Sequence, residues 1–189
     1  MRKIIFSMQM SLDGYIEDAN GSIRFTSPDD ELHSYFNDRE RENDTHIYGR
    51  RLYETMNDFW PTAEQDPDAD RVTVEYARLW NALDKIVFSR TLQSVEGRAR
   101  LAYDIEREVR ELKSKPGKNI SVGGADLARA FIERDLVDEY HVVIYPILLG
   151  AGKRMFGEFA EKLDLELIET RTFASGAVLL KYARHSDTK

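Results

Sequence analysis

Three short segments of the chain place glycine, serine or arginine directly after an apolar, strand-like run: Gly49-Arg50-Arg51, Ser89-Arg90-Thr91 and Gly123-Gly124-Ala125. In an open α/β sheet, ligands bind outside the carboxyl ends of the strands, so chemistry is expected at these positions. The first and third segments also open helix-like stretches, whose unpaired N–H groups attract an anion. A glycine pair removes the Cβ that would hold a pyrophosphate away from the backbone. Arg50, Arg51 and Arg90 supply cations able to grip phosphate oxygens. Taken singly, a glycine pair reads more readily as a plain turn, and an arginine after a strand as a solvated surface residue. Their coincidence points to a phosphorylated or dinucleotide ligand.

Other chemistries find less support. Gly123-Gly124 lacks the Gly-x-Gly-x-x-Gly frame of a Rossmann site, and Gly150-Ala151-Gly152-Lys153 lacks the full frame and trailing hydroxyl of a P-loop. There is no cysteine, which excludes thiolate nucleophiles, disulfides, iron–sulfur clusters and cysteine zinc sites within this chain. His33, His46, His141 and His185 have no metal-ligand spacing, and no Gly-x-Ser-x-Gly elbow is present. Ser7 and Ser11 flank the end of the first strand and read as local hydrogen-bonding groups. Among the many carboxylates, Asp13, Asp30 and Glu31 follow the first strand or open the first helix. For each of them, helix capping or solvation competes with a catalytic role.

These groups need a scaffold, and the hydrophobic periodicity supplies one. Residues Lys3–Met10 form a strand with Ile4, Phe6, Met8 and Met10 on one face and Ile5 leading the other, which suits the middle of a layered sheet. Ser27 is expected as the N-cap of a helix with Pro28 at its first position and Leu32, Tyr35 and Phe36 facing inward. Strands are expected at Thr45–Tyr48, Lys85–Phe88, Asn119–Val122 and Val137–Tyr145, with helices near 50–56, 70–82, 104–113 and after Gly124. Trp60-Pro61 is read as a stop, with a polar loop over 62–69. The last two strands, Leu165–Phe173 and Ala177–Ala183, meet at Ser175-Gly176 as a hairpin. Alternating strands and helices followed by abutting strands predict a mostly parallel sheet that ends antiparallel, with helices on its faces.

The composition bounds the partners. A chain of 189 residues suits one domain, expected over 1–185 with a tail at 186–189. The net charge of −7 argues against a broad nucleic-acid surface. The N-terminal apolar run is broken at Ser7 and Gln9, too early for a signal peptide or membrane span, so the expected location is cytoplasmic.

The motifs also carry a resemblance. Ser11-Leu12-Asp13-Gly14-Tyr15-Ile16, Tyr48-Gly49-Arg50-Arg51-Leu52-Tyr53-Glu54, Val87-Phe88-Ser89-Arg90-Thr91-Leu92 and Ile120-Ser121-Val122-Gly123-Gly124-Ala125-Asp126-Leu127 lie in order along the chain. Leu136-Val137-Asp138-Glu139-Tyr140 and the stretch Tyr145–Phe156 follow them. In order and spacing they resemble the dihydrofolate-reductase-like family. The likeness is to the reductase domain at the C-terminus of the riboflavin-pathway deaminase-reductase, in its stand-alone bacterial form. The resemblance implies a three-layer α/β/α fold, with a mostly parallel central sheet of about eight strands and antiparallel C-terminal strands.

The resemblance further implies NADPH as cofactor, held by Met8, Gly49, Arg50, Arg51, Ser89, Arg90, Gly123, Gly124, Ala125 and Leu127. Of these, Ser89 and Arg90 would face the ribose phosphate, and the glycine pair would be joined by a cis bond. Substrate would meet Gln9, Tyr15, Tyr35 and Tyr145. Glu31 is the residue matched to the family's acidic group, with His33 as the neighbouring alternative and Asp13 a second catalytic candidate. A homodimer is implied; the apolar strand Val137–Tyr145 reads as core first and as a contribution to that interface second. The reaction expected is hydride transfer of the 5-amino-6-(5-phosphoribosylamino)uracil reductase type. A pterin, a small carbonyl or imine substrate, and a non-catalytic nucleotide-binding relative remain the alternatives.

Overall fold

A computed structural model describes residues 1–159 and 161–185; the expected tail at 186–189 lies outside the described residues. The main sheet has eight strands in the order β5-β4-β3-β6-β1-β7-β10-β9. These are β1 (Ile4–Ser11), β3 (Asn43–Gly49), β4 (Asp84–Phe88), β5 (Ala99–Ala102), β6 (Asn119–Gly123), β7 (Glu139–Tyr145), β9 (Leu165–Thr172) and β10 (Val178–Arg184). From β5 to β7 all neighbours run parallel, and β10 and β9 close the edge antiparallel. A small two-stranded sheet joins β2 (Tyr15–Glu17) to β8 (Lys153–Arg154).

The parallel strands bury both faces. Ile4, Phe6, Ile47, Ile86, Ile120, Val122 and Val142 pack on one side, where α5 (Ile105–Lys113) and α6 (Ala125–Ile132) contribute Val109, Ala128 and Phe131. On the opposite side α1 (Asp30–Glu40) lays Leu32 and Tyr35 on Val143, Phe173 and Leu179. The helices α2 (Arg50–Asn57), α3 (Trp60–Ala63) and α4 (Arg71–Ala82) complete that layer. The result is the three-layer arrangement that the sequence predicts. Among the described residues no helix is long and apolar enough to cross a membrane.

Several local expectations change. Helix α1 is capped by Asp29, whose carboxylate accepts the Leu32 N–H at 2.8 Å, and Ser27-Pro28 precedes the cap as extended chain. Proline at 61 opens the one-turn α3 instead of ending a unit, because its missing N–H costs nothing in a first turn. Strand β7, by contrast, lies between β1 and β10 with buried side chains, in keeping with the core reading of Val137–Tyr145. The exposed apolar side chains of this region lie on the edge strand β9, where Leu165, Leu167 and Ile168 are 37%, 51% and 48% exposed.

Candidate functional site

The parallel register aligns the three motifs. Gly49 pairs with Phe88, Tyr48 pairs with Gly123, and Phe6 pairs with Val122, so that β3, β4 and β6 end at one edge while β1 runs on past it to Ser11. A cleft of about 790 Å³ opens there and runs back beneath α1.

At the strand-end half, main-chain groups dominate. Helices α1, α4 and α5 begin with Asp29, Asp70 and Asp104, each of which caps its helix through its carboxylate. Helices α2 and α6 begin instead with Gly49 and Gly124 and have no side-chain cap. Their first-turn N–H groups therefore remain available to an anion. Gly124 has φ +89°, a conformation open to glycine, and this turns the chain from β6 into α6. A Cβ at Gly123 would lie 2.7 Å from Leu52 Cδ2 and 3.3 Å from the Tyr48 ring, so the Leu52 side chain would have to turn aside to admit one. No described peptide bond is cis. The expected cis bond between these glycines is thus corrected to trans, with the reversal made by the positive φ of Gly124. Arg51 and Lys153 bridge this mouth, Arg51 to Glu17 at 3.2 Å and Lys153 to Asp126 at 2.6 Å.

The closed half is built from side chains. On the sheet face, Ser7, Gln9, His46, Ser121 and His141 look toward α1, which presents His33, Tyr35, Phe36, Arg39 and Glu40. Trp60 and Tyr76 form an aromatic wall with centroids 4.3 Å apart, and His33 lies 5.9 Å from Tyr76. His46 Nε2 is 2.6 Å from Glu40 Oε2, while its Nδ1 meets the Tyr48 hydroxyl. Trp80 Nε1 donates to that same hydroxyl at 3.2 Å. Burial holds the Tyr48 phenol far above its ordinary pKa, so it keeps its proton and donates to Nδ1. The Nε2 proton of His46 then goes to Glu40. Burial raises the Glu40 carboxyl, but attraction and hydrogen bonding from His46, with bonds from Asn43 and Tyr76, outweigh it and leave a net lowering. His141 is pushed down to about 4 by burial, against the opposing bond to Glu139. Burial also lowers His33 and raises Tyr35 to about 12.

The expected site residues divide accordingly. Met8, Gln9, Tyr35, Gly49, Arg50, Arg51, Gly123, Gly124, Ala125 and Leu127 line the cleft. Ser89 and Arg90 do not line it; they sit at the next strand end, where Ser89 Oγ accepts the Thr91 and Leu92 N–H groups and Arg50 donates to Thr91 at 3.1 Å. Asp13 is a structural staple away from the lining. It accepts Ser11 Oγ at 2.6 Å, Gly150 N at 2.7 Å and Leu149 N at 3.1 Å, and these bonds, the one from Ser11 first, hold it at about 2. Tyr15 also lies outside the lining, with its hydroxyl 3.3 Å from Gly150 O and its ring under Arg154. Tyr145 also lies outside the lining, its hydroxyl 2.7 Å from Gln9 Oε1 and 2.9 Å from Thr26 O. Glu31 turns from the cleft to Ala174 N at 3.0 Å and Arg171 at 3.1 Å. Two residues further along α1, the alternative His33 faces the cleft.

Sequence reasoning did not assign His46, Glu40, Arg39, His141, Trp60 or Tyr76 to the site. For His46 and Glu40 the only local signal was a histidine and a carboxylate on either side of a helix-to-strand turn. Among the described residues no group of three His, Asp or Glu side chains is placed to hold a metal.

Comparison with known proteins places this geometry. Residues 2–179 match the family model of the RibD C-terminal domain. The chain is 37% identical over 183 residues to YyaP of Bacillus subtilis strain 168, covering 96% of this chain and 94% of that one. A solved structure from Shewanella sp. PV-4, described as a candidate riboflavin biosynthesis protein, superposes with a TM-score of 0.78 at 23% identity, covering 98% of this chain and 99% of that one. The diaminohydroxyphosphoribosylaminopyrimidine deaminase/5-amino-6-(5-phosphoribosylamino)uracil reductase of Thermotoga maritima gives 0.68 at 15% identity, over 97% of this chain and 57% of that one. These structures share the dihydrofolate-reductase-like fold, with its mostly parallel eight-stranded sheet. With the family model matched along nearly its whole length, the chain belongs to the RibD C-terminal domain family.

Proposed function

We propose that the protein is an NADPH-dependent reductase of the riboflavin-pathway reductase type, acting on a carbonyl or imine carbon of a small heterocyclic substrate. One observation carries this reading: helices α2 and α6, whose first turns face the cleft, start from glycines without side-chain caps at adjoining strand ends. That donor set suits a pyrophosphate, and Arg50 and Arg51 stand beside it. NADPH, when bound, supplies the hydride. The chain's own part is to bind and orient. Gly49 and Gly124 offer main-chain N–H groups, and Met8 and Gln9 form the floor where the two halves meet. The Trp60–Tyr76 wall excludes water from the substrate side.

NADPH titration against the purified chain tests this reading. Saturable binding in the micromolar range is expected, and absence of binding at millimolar cofactor sinks it. With it we propose a homodimer through β9, whose outer edge is unpaired and whose side chains are all exposed.

A further inference from the structure

The main sheet ends at β5 on one side and at β9 on the other. Strand β5 is four residues long and closes on the buried Ala102, whereas β9 runs for eight residues with every side chain exposed. Such a strand offers a row of unpaired N–H and C=O groups to another chain. Its pairing with β10 assigns each side chain to a face. Glu169 meets Lys181 at 2.6 Å, and Arg171 meets Glu31 at 3.1 Å and lies over the Tyr35 ring, so both face α1. Glu166, opposite Ala183, shares that face, while Leu165, Leu167, Thr170 and Thr172 lie on the other. Leu167 pairs with Tyr182 and Glu169 with Lys181, which leaves Ile168 between them as a one-residue bulge.

The bulge decides how β9 fits a second copy of itself. Two copies related by a two-fold axis run their edge strands antiparallel, and directly opposed side chains then share a face. In a regular strand of eight residues laid end to end on its own copy, every opposed pair would fall on opposite faces. The extra residue at Ile168 restores the match. Leu165 then opposes the partner's Thr172, Leu167 the partner's Thr170, and Glu166 the partner's Arg171, each pair on one face. Glu166 and Arg171 carry opposite charges, and the two-fold makes that contact twice. Sliding the copies by two residues sets Glu166 against the partner's Glu169 instead. A bulge commonly turns an edge away from pairing; this one brings the two faces of β9 into phase with a second β9.

Resting on the homodimer reading above, we propose that two copies join β9 to β9 across a two-fold axis in this full-length register, with Glu166 and Arg171 as reciprocal ion pairs. The chain has no cysteine, so introduced ones report the register without background. Opposed residues of an antiparallel pair lie about 5 Å apart, within disulfide reach, whereas positions 165 and 172 of one strand are about 20 Å apart. Leu165→Cys/Thr172→Cys should therefore give a covalent dimer on mild oxidation, and neither single variant should. Glu166→Arg sets arginines against each other at both contacts and should raise the dimer dissociation constant about tenfold in sedimentation. A chain that stays monomeric at every concentration sinks the homodimer reading and this register together. A stable dimer that the double variant does not cross-link, that a single variant cross-links, or that Glu166→Arg leaves unweakened overturns the register alone. No residue of β9 lines the cleft, so NADPH binding is expected unchanged in every variant and tests the reductase reading separately.

Discussion

At the strand-end half of the cleft, the polar groups on offer are main-chain N–H groups that follow Gly49 and Gly124; at the closed half they are side chains of α1, β3 and β7 that meet across a gap. The first kind of site needs only a backbone path, and a few adjacent residues specify it. The second kind needs the register of a helix on a sheet, which packing along the whole of α1 decides. Changes in the two halves should therefore separate. A backbone change at the mouth should affect ligand binding before stability, and removal of a side chain at the closed end should affect stability first.

The largest effect is expected from His46→Ala. It leaves Glu40 buried without its main partner and the Tyr48 hydroxyl without an acceptor, at a cost of about 3 kcal/mol by urea unfolding. NADPH affinity in the folded fraction should be retained. Loss of affinity without loss of stability would show that the two halves are not separable.

Gly124→Val is the complementary change. A branched side chain at φ +89° costs about 2 kcal/mol and displaces the first turn of α6, so NADPH affinity should fall more than about tenfold in a titration. An unchanged dissociation constant would remove Gly124 from the site.

The closed half should also set the acid response. An unfolded histidine titrates near 6.5, whereas His141 is held down to about 4 by burial. Between those values the unfolded chain binds the extra proton, so stability falls as pH drops from about 6.5 to about 4 and is flat above. His33 is shifted in the same direction, also by burial. Carboxylates with lowered values, such as Asp13 at about 2, contribute only at lower pH. His141→Gln should flatten most of the upper window in urea midpoints measured across pH, and an unaltered slope would assign it to other groups. The smallest effect is expected at Arg90→Ala, with NADPH weakened about threefold more than NADH. Equal losses would remove Arg90 from discrimination of the ribose phosphate.

The same division governs what the sequence reveals. The glycine pair and the arginines after β3 are local, and apolar alternation in β1, β3 and β6 was enough to align them. The N-cap of α1 lies two residues beyond the expected Ser27 because both Ser27 and Asp29 are good capping types, and only the Asp29–Leu32 bond decides between them. The two-stranded β2–β8 sheet was missed because strands of three and two residues carry no periodicity. Glu31 and His33 flank the same helix turn, and sequence spacing could not tell which faces the cleft. Docking of α1 on Val143 and Leu179 turns Glu31 to the β9–β10 hairpin and His33 inward.

The place of β1 in the sheet has a consequence for how the protein comes into being. Strand β1 pairs with β6 and β7, which come far later in the sequence, Ile4 with Ile120 and Ser11 with Tyr145. During synthesis, the apolar Ile4–Ser11 segment therefore waits without neighbours until most of the chain has emerged, and closing so long a loop carries its entropic cost before any contact rewards it. Met8 and Gln9, which line the cleft, are thus translated before the strands that seat them.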